Sequence, residues 1–319
     1  MSTLVFLEHR GDAIQKGSLG VLSKAASLDS DTSALLIGSG VAGLAEQAAK
    51  YGAAKVFVVD DASVEKPLPQ PRVDVIAALV GQHGFDNVLF QGSVLAADIA
   101  GGLSARLDAG LNWGLGDLVM DGGELIGKRS ALGDTILVDV AWTSTPRLGL
   151  IRPGSFEPTE SPAAGAVENV SPQLQDFSSK AQITLQTTEE SSGPSIEEAD
   201  ILVCGGRGLG APEGFGQLEA LASALGGAVA STRAVVDSGW YPYPTQIGQT
   251  GKTVAPKLYI GAGVSGAIQH KVGMQSSQVI VAINKDANAP IMTFADVAIV
   301  GDLNNVVPAL TKLVQERKG

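Results

Sequence analysis

Short apolar runs rich in β-branched residues alternate, twice over, with segments of helical period. That alternation limits this 319-residue chain to the α/β class, with mostly parallel sheets covered on both faces by helices. In the first half STLVFLEH, TSALLIG, AKVFVVDD and DNVLFQG read as strands. LGVLSKAASL, VAGLAEQAAKYG and VDVIAALVGQHG read as the helices between them. A further helix carries Leu95, Ile99, Leu103 and Leu107 in one apolar stripe at i+4 spacing. From about residue 117 to 187 the helical period fades, and DTILVDVAWT and AQITLQTT read as strands of an antiparallel extension. The polar stretch TTEESSGPS (187–195) reads as a linker. Alternation then restarts: strand ADILVCGG, a helix with Phe215, Leu218, Leu221 and Leu225 on one face, strand KLYIGAG, helix SGAIQHKVG, strands QVIVAIN and DVAIVGD, and helix LNNVVPALTKLVQ. Two α/β domains are expected, over 1–190 and 191–319, the second a Rossmann-like doubly wound sheet.

Composition narrows the function classes. The formal net charge of −11 opposes binding to nucleic acid or to anionic membranes. No apolar run nears the roughly 20 residues that span a bilayer, and no targeting pattern opens the chain, so a cytoplasmic location is expected. The single cysteine, Cys204 in DILVC, reads as a buried strand thiol. His9, His83 and His270 are too dispersed for a metal-ligand cluster. No general acid–base pair or nucleophile constellation is visible.

Two stretches fit G-x-G-x-x-G, and each follows a strand and leads into a helix. GSGVAG (38–43) is followed, 22 residues after Gly38, by Asp60, close to a complete dinucleotide fingerprint. It reads equally as a plain glycine turn. In GAGVSG (261–266) the expected cap is Ser265, with Gln269 and His270 one turn into the helix. No clean acid closes that second fingerprint; its strand ends at Asn284. Polar or basic residues recur after successive strands of the second half: Arg207 in GGRGLG, Arg233 in STRAVVD, Thr250 in QIGQTGK, then Ser265, Asn284 and Asp302. A parallel sheet gathers such positions on its carboxyl edge, so a large dinucleotide-like ligand is expected on the second domain.

Together GGRGLG, STRAVVDSGW, QIGQTGK, APKLYIGAGVSGAIQHKVGM and IVAINKDANAPI resemble the α subunit of electron-transfer flavoproteins, densely from about residue 200 onward and more loosely before it. The resemblance implies one FAD in the second domain and electrons carried singly rather than a substrate turned over. It implies FAD contacts at Arg207, Thr232, Arg233, Ile247, Gly248, Gln249, Thr250, Ser265, Gly266, Ala267, Ile268, Gln269, His270, Asn284, Asp302 and Leu303. Thr232 replaces the family's usual serine, and Lys271 stands where an apolar residue is common. The resemblance further implies a heterodimer with a β subunit, in which AMP or a second FAD resides when present. Donors would be flavin dehydrogenases such as those acting on acyl-CoA, and the acceptor a membrane quinone oxidoreductase. Two alternatives stand beside this: a bifurcating type that oxidises NADH at a second flavin in the partner, and an NAD-dependent dehydrogenase using Gly38–Gly43. Within the family the first domain is scaffold, so GSGVAG is expected to hold no nucleotide. Reduction builds negative charge at the flavin N1 and C2 carbonyl, and His270 and Arg233 are expected to offset it, with Thr250 at N5. Ser265 and Arg207 are expected at the pyrophosphate, Asn284 and Asp302 at the adenosine half.

Overall fold

The computed structural model describes residues 1–132, 136–185 and 195–318, in two compact units, Met1–Thr188 and Glu189–Gly319. The linker expected over 187–195 lies, except for Ser195, outside the described residues.

The first unit opens with β1 (Thr3–Leu7), the small antiparallel pair β2 (His9–Arg10) and β3 (Ala13–Ile14), and α1 (Lys16–Leu28). Then come β4 (Thr32–Gly38), α2 (Ala45–Lys50), β5 (Lys55–Asp60), α3 (Pro69–His83), β6 (Asn87–Gln91) and α4 (Val94–Leu107). Five further strands follow: β7 (Leu111–Asp121), β8 (Glu124–Ala131), β9 (Ile136–Val140), β10 (Arg147–Ile151) and β11 (Ala166–Asn169). The main sheet runs β11-β5-β4-β1-β6-β10-β7-β8-β9, parallel except for the antiparallel β7-β8-β9 end. Central strands buried on both faces read as unbroken apolar runs. Leu4 and Phe6 of β1 meet Val73, Ile76 and Leu79 of α3 and Ile99 and Leu103 of α4 in one core. Val5 and Leu7 meet Leu19 and Leu22 of α1 and Ala48 of α2 in the other. Each such side chain contributes about 1.5–3 kcal/mol by leaving water.

Two expectations for this unit need correction. Within AQITLQTT, residues 181–185 form no strand and 186–188 lie outside the described residues; Leu185 is 80% exposed, and β11 already covers the outer edge of β5. The antiparallel extension exists, but is built mainly from β7 and β8, joined through Gly122 and Gly123, both at positive φ. The irregular 174–178 stretch is tied to α3 by the buried Asp74 carboxylate, which accepts from Gln175 N at 2.8 Å, Ser178 Oγ at 2.5 Å and Arg106 Nη2 at 3.0 Å. Asp74→Asn keeps the shape but loses the charge behind these bonds. It is expected to cost this unit about 2 kcal/mol, read as an earlier urea midpoint at Trp113 and Trp142.

The second unit contains β12 (Ile201–Gly205), α5 (Phe215–Leu225), β13 (Ala228–Thr232), α6 (Arg233–Asp237), β14 (Gln246–Ile247) and β15 (Leu258–Ala262). It closes with α7 (Ile268–Met274), β16 (Val279–Asn284), β17 (Val297–Val300) and α8 (Leu303–Lys318). Its sheet is wholly parallel in the order β14-β13-β12-β15-β16-β17. Counted along the chain this is 3-2-1-4-5-6, the doubly wound Rossmann order. Val203 and Ile260 pack on Phe215, Leu218 and Leu221 of α5 and Val307 of α8, while Leu202, Cys204 and Tyr259 pack on Met274 of α7. Cys204 is fully buried, and desolvation pushes its thiol up to about 12, as befits the expected structural thiol. Among the described residues no helix is long and apolar enough to cross a membrane, and no cluster of three metal-ligating side chains is present.

Candidate functional site

The strand order of the second unit reverses between β12 and β15, the point at which an open parallel sheet leaves a crevice beyond its carboxyl ends. Both strands end there in glycine turns that touch backbone to backbone. Gly206 N donates to Ala262 O and Gly208 N to Gly263 O, each at 3.0 Å. A Cβ on Gly206 would stand 2.2 Å from Gly263 O, so only glycine lets the turns approach this closely. Beyond them opens a cleft of about 440 Å³, in the size range of small-molecule sites.

Seven of the residues expected from sequence line this cleft: Arg207, Thr232, Arg233, Ser265, Ala267, His270 and Asn284. Gly206, Gly208, Gly263, Asp237, Asp286 and Pro290 line it too and were not singled out. The strand-end position of GGRGLG and GAGVSG was the signal for the glycines; Pro290 and Asp286 fall within IVAINKDANAPI, from which only Asn284 was carried into the site. Arg207 opens a short 3₁₀ turn, and Arg233, at the start of α6, pairs with Asp237 one turn on at 3.3 Å while remaining largely exposed. Two guanidinium groups thus face a glycine-walled crevice, a donor set suited to a phosphate-bearing ligand. Thr232 is the N-cap position of α6, but its side chain makes no capping bond.

The other expected residues act through position. Ile247, Gly248, Gln249 and Thr250 form a loop stapled to α7: Gln249 N donates to Gln269 O at 2.7 Å, and a Cβ on Gly248 would meet that same oxygen at 2.8 Å. The Thr250 hydroxyl accepts from Gln246 Nε2 at 3.1 Å. Asn284 Nδ2 donates to Val264 O at 3.0 Å, fixing the turn after β15. Asp302 caps α8 by accepting from Asn304 N at 2.9 Å, Leu303 is buried in the core, and Ile268 is 69% exposed.

Three details differ from expectation. Ser265 is not the cap of α7: the helix begins at Ile268 after Ala267, because Gly266 holds φ at +77°, outside the helical region. Gln269 and His270 therefore occupy the first turn. Third, the His270 ring is not a free donor or cation. It is 8% exposed, its Nδ1 lies 3.1 Å from Ile247 O, and its Nε2 lies 2.7 Å from the Tyr259 hydroxyl. A carbonyl oxygen only accepts, so Nδ1 carries the proton and Nε2 accepts from Tyr259. Burial pushes the imidazole down to about 4, so the ring is neutral near pH 7.

The earlier glycine turn is already satisfied. The Asp60 carboxylate accepts from Gly40 N at 2.7 Å and from Ala42 N at 3.1 Å, filling the donors that a pyrophosphate would need. The acid that suggested a ribose contact instead closes its own loop.

Comparison with known proteins agrees with this division. A family model described as the electron transfer flavoprotein domain matches residues 3–175, and one described as the electron transfer flavoprotein FAD-binding domain matches residues 195–275. The chain is 40% identical over 320 residues to the electron transfer flavoprotein subunit alpha of Mycobacterium leprae, covering 99% of each chain. Its counterpart from Mycobacterium tuberculosis is 41% identical with the same coverage. Protein FixB of Clostridium saccharobutylicum is 38% identical over 98% of this chain and 96% of its own.

Proposed function

Because the chain belongs to the electron transfer flavoprotein α-subunit family, we propose that it carries electrons one at a time from flavin dehydrogenases, such as those acting on acyl-CoA, to a membrane quinone oxidoreductase. Its cofactor is FAD, which supplies the one-electron chemistry. The observation that carries the reading is the β12–β15 crevice, walled by paired glycine turns, flanked by Arg207 and Arg233, and lying mostly within the matched FAD-binding segment.

In this reading Arg207 and Ser265 hold the pyrophosphate, and the bare backbone of Gly206, Gly208 and Gly263 lets it approach. Thr232 and Arg233 line the flavin end with Ile247, Gly248, Gln249 and Thr250. The Gly266, Ala267, Ile268, Gln269 and His270 segment closes that end. Asn284, Asp302 and Leu303 border the adenosine half. With His270 neutral, Arg233 is the cation that offsets negative charge on the reduced ring, and its pairing with exposed Asp237 is weak enough to yield. The first unit is a scaffold that packs on a β subunit, and any AMP or second FAD belongs to that partner. The chain turns over no small substrate itself.

Counting flavins in the purified heterodimer tests this. One FAD per heterodimer, reduced by an acyl-CoA dehydrogenase with its substrate and not by NADH, is the expected result. Two flavins with reduction by NADH would instead assign the bifurcating type. A colourless heterodimer that binds NADH would refute the proposal.

A further inference from the structure

Tyr259 is the largest fully buried side chain among the described residues, and it sits in an apolar core with Leu202, Met274, Ala282 and Ile291. A phenol hydroxyl in such surroundings requires a partner. Gly261, two residues further along the same face of β15, makes room for the ring: a Cβ there would lie 3.0 Å from Tyr259 Cε1. The hydroxyl reaches His270 Nε2 at 2.7 Å. On the far side of the imidazole, Nδ1 meets Ile247 O at 3.1 Å.

Only one direction satisfies every atom. The Ile247 carbonyl can only accept, so Nδ1–H donates to it; Nε2 is then bare and accepts the tyrosine O–H. The chain of bonds crosses three elements, β15, α7 and β14, and ends on the first residue of the Ile247–Thr250 loop. We propose that Tyr259 is a positioning residue of the flavin site, fixing through this chain the rotamer and tautomer of His270 and with them the Ile247–Thr250 loop. The inference rests on the reading of the β12–β15 crevice as the FAD site. It assigns His270 the role of a neutral, oriented wall whose orientation is set from the core.

The test is nitrogen NMR of the full heterodimer, with FAD bound, in which only this chain carries ¹⁵N-histidine. Three histidines are labelled, and His270 is assigned by the signal that His270→Gln removes. The expected wild-type spectrum shows His270 protonated at Nδ1, bare at Nε2, and unresponsive to pH between about 8 and 5. In Tyr259→Phe the Nε2 signal shifts, both tautomers are populated, and FAD dissociates about tenfold more readily, the size expected for one lost buried hydrogen bond. If Tyr259→Phe does not fold, 3-fluorotyrosine incorporated into this chain makes the Tyr259 hydroxyl a stronger donor and is expected to move the same Nε2 signal further in the hydrogen-bonded direction. A wild-type His270 protonated at Nε2, or titrating near its ordinary value, overturns the inference. Unchanged His270 signals in the variants, with flavin still bound, also overturn it while leaving the FAD site standing. A wild-type heterodimer without flavin overturns both.

Discussion

Gly266→Ala is expected to weaken FAD binding by 100-fold or more while the first unit stays folded. At φ +77° an L side chain costs about 1–2 kcal/mol before any contact is counted. The added methyl would then stand 2.5 Å from Ile291 N and 2.7 Å from Ile291 Cα, both backbone atoms. Ile291 cannot retreat, because its side chain is fully buried and its N–H is bonded to Ser265 O at 3.0 Å. The 265–268 turn must move instead, and it moves where Ser265 and Ala267 line the crevice. A hundredfold loss corresponds to about 2.7 kcal/mol, which the backbone strain and the clash together supply. Flavin fluorescence quenching during titration reads the affinity. Gly40→Ala is the matched control: Gly40 also has positive φ, at +74°, but a Cβ there meets nothing within 4 Å. It is expected to cost the first unit about 1 kcal/mol and leave FAD affinity unchanged.

The second unit is expected to lose about 3 kcal/mol of stability as pH falls from about 6.5 to 4, through His270. Its native pKa, pushed down by burial to about 4, lies below the ordinary histidine value. Over that interval the unfolded chain takes up a proton that the native ring refuses, so acid favours unfolding; above about 6.5 the contribution is complete and flat. The groups around the ring do not mask the effect. Tyr259 and Cys204 stay protonated throughout because burial raises both. The other charged groups of the cleft, Arg207, Arg233, Asp237 and Asp286, are common to the wild type and to His270→Gln and cancel in the comparison. Urea midpoints at several pH values, compared with those of His270→Gln, measure the contribution. The wild type should lose up to about 1.4 kcal/mol more per pH unit than the variant within the window.

Much of this architecture was legible because the relevant signals are local. The central strands are buried on both faces, so TLVFL, TSALLIG and ILVCG announce themselves as apolar runs, and the helices between them carry their stripes. The carboxyl-edge rule then gathered Arg207, Arg233, Ser265 and Asn284 into one crevice before any coordinates. The β7–β8 hairpin was missed for a physical reason: Gly114, Gly116 and Asp117 dilute its apolar alternation. Its two-glycine turn at 122–123 was the usable signal. AQITL misled in the opposite sense: residues 181–185 carry strand-forming types yet form no strand, and β11 takes the outer edge of β5 instead.

At the site, sequence motifs located residues but not their bonding. From sequence His270 is expected to offset charge on the ligand as a donor or cation. Its state is set by Tyr259, Ile247 O and burial, all long-range. Asp60 likewise fits a ribose-binding fingerprint by spacing alone, and only the fold reveals that its carboxylate spans Gly40 N and Ala42 N. In each case a local pattern named the right residue, and a tertiary contact decided what it does.

The most direct test of the central claim is a crystal structure of the heterodimer with FAD bound to this chain. The account predicts the pyrophosphate between the Gly206–Gly208 and Gly263–Ser265 turns beside Arg207. The flavin ring should lie toward Arg233 and the Ile247–Thr250 loop, and Asp60 should still bridge Gly40 N and Ala42 N. Cofactor density at residues 38–43 with Asp60 displaced, or an FAD that makes no contact with the β12–β15 crevice, would contradict it.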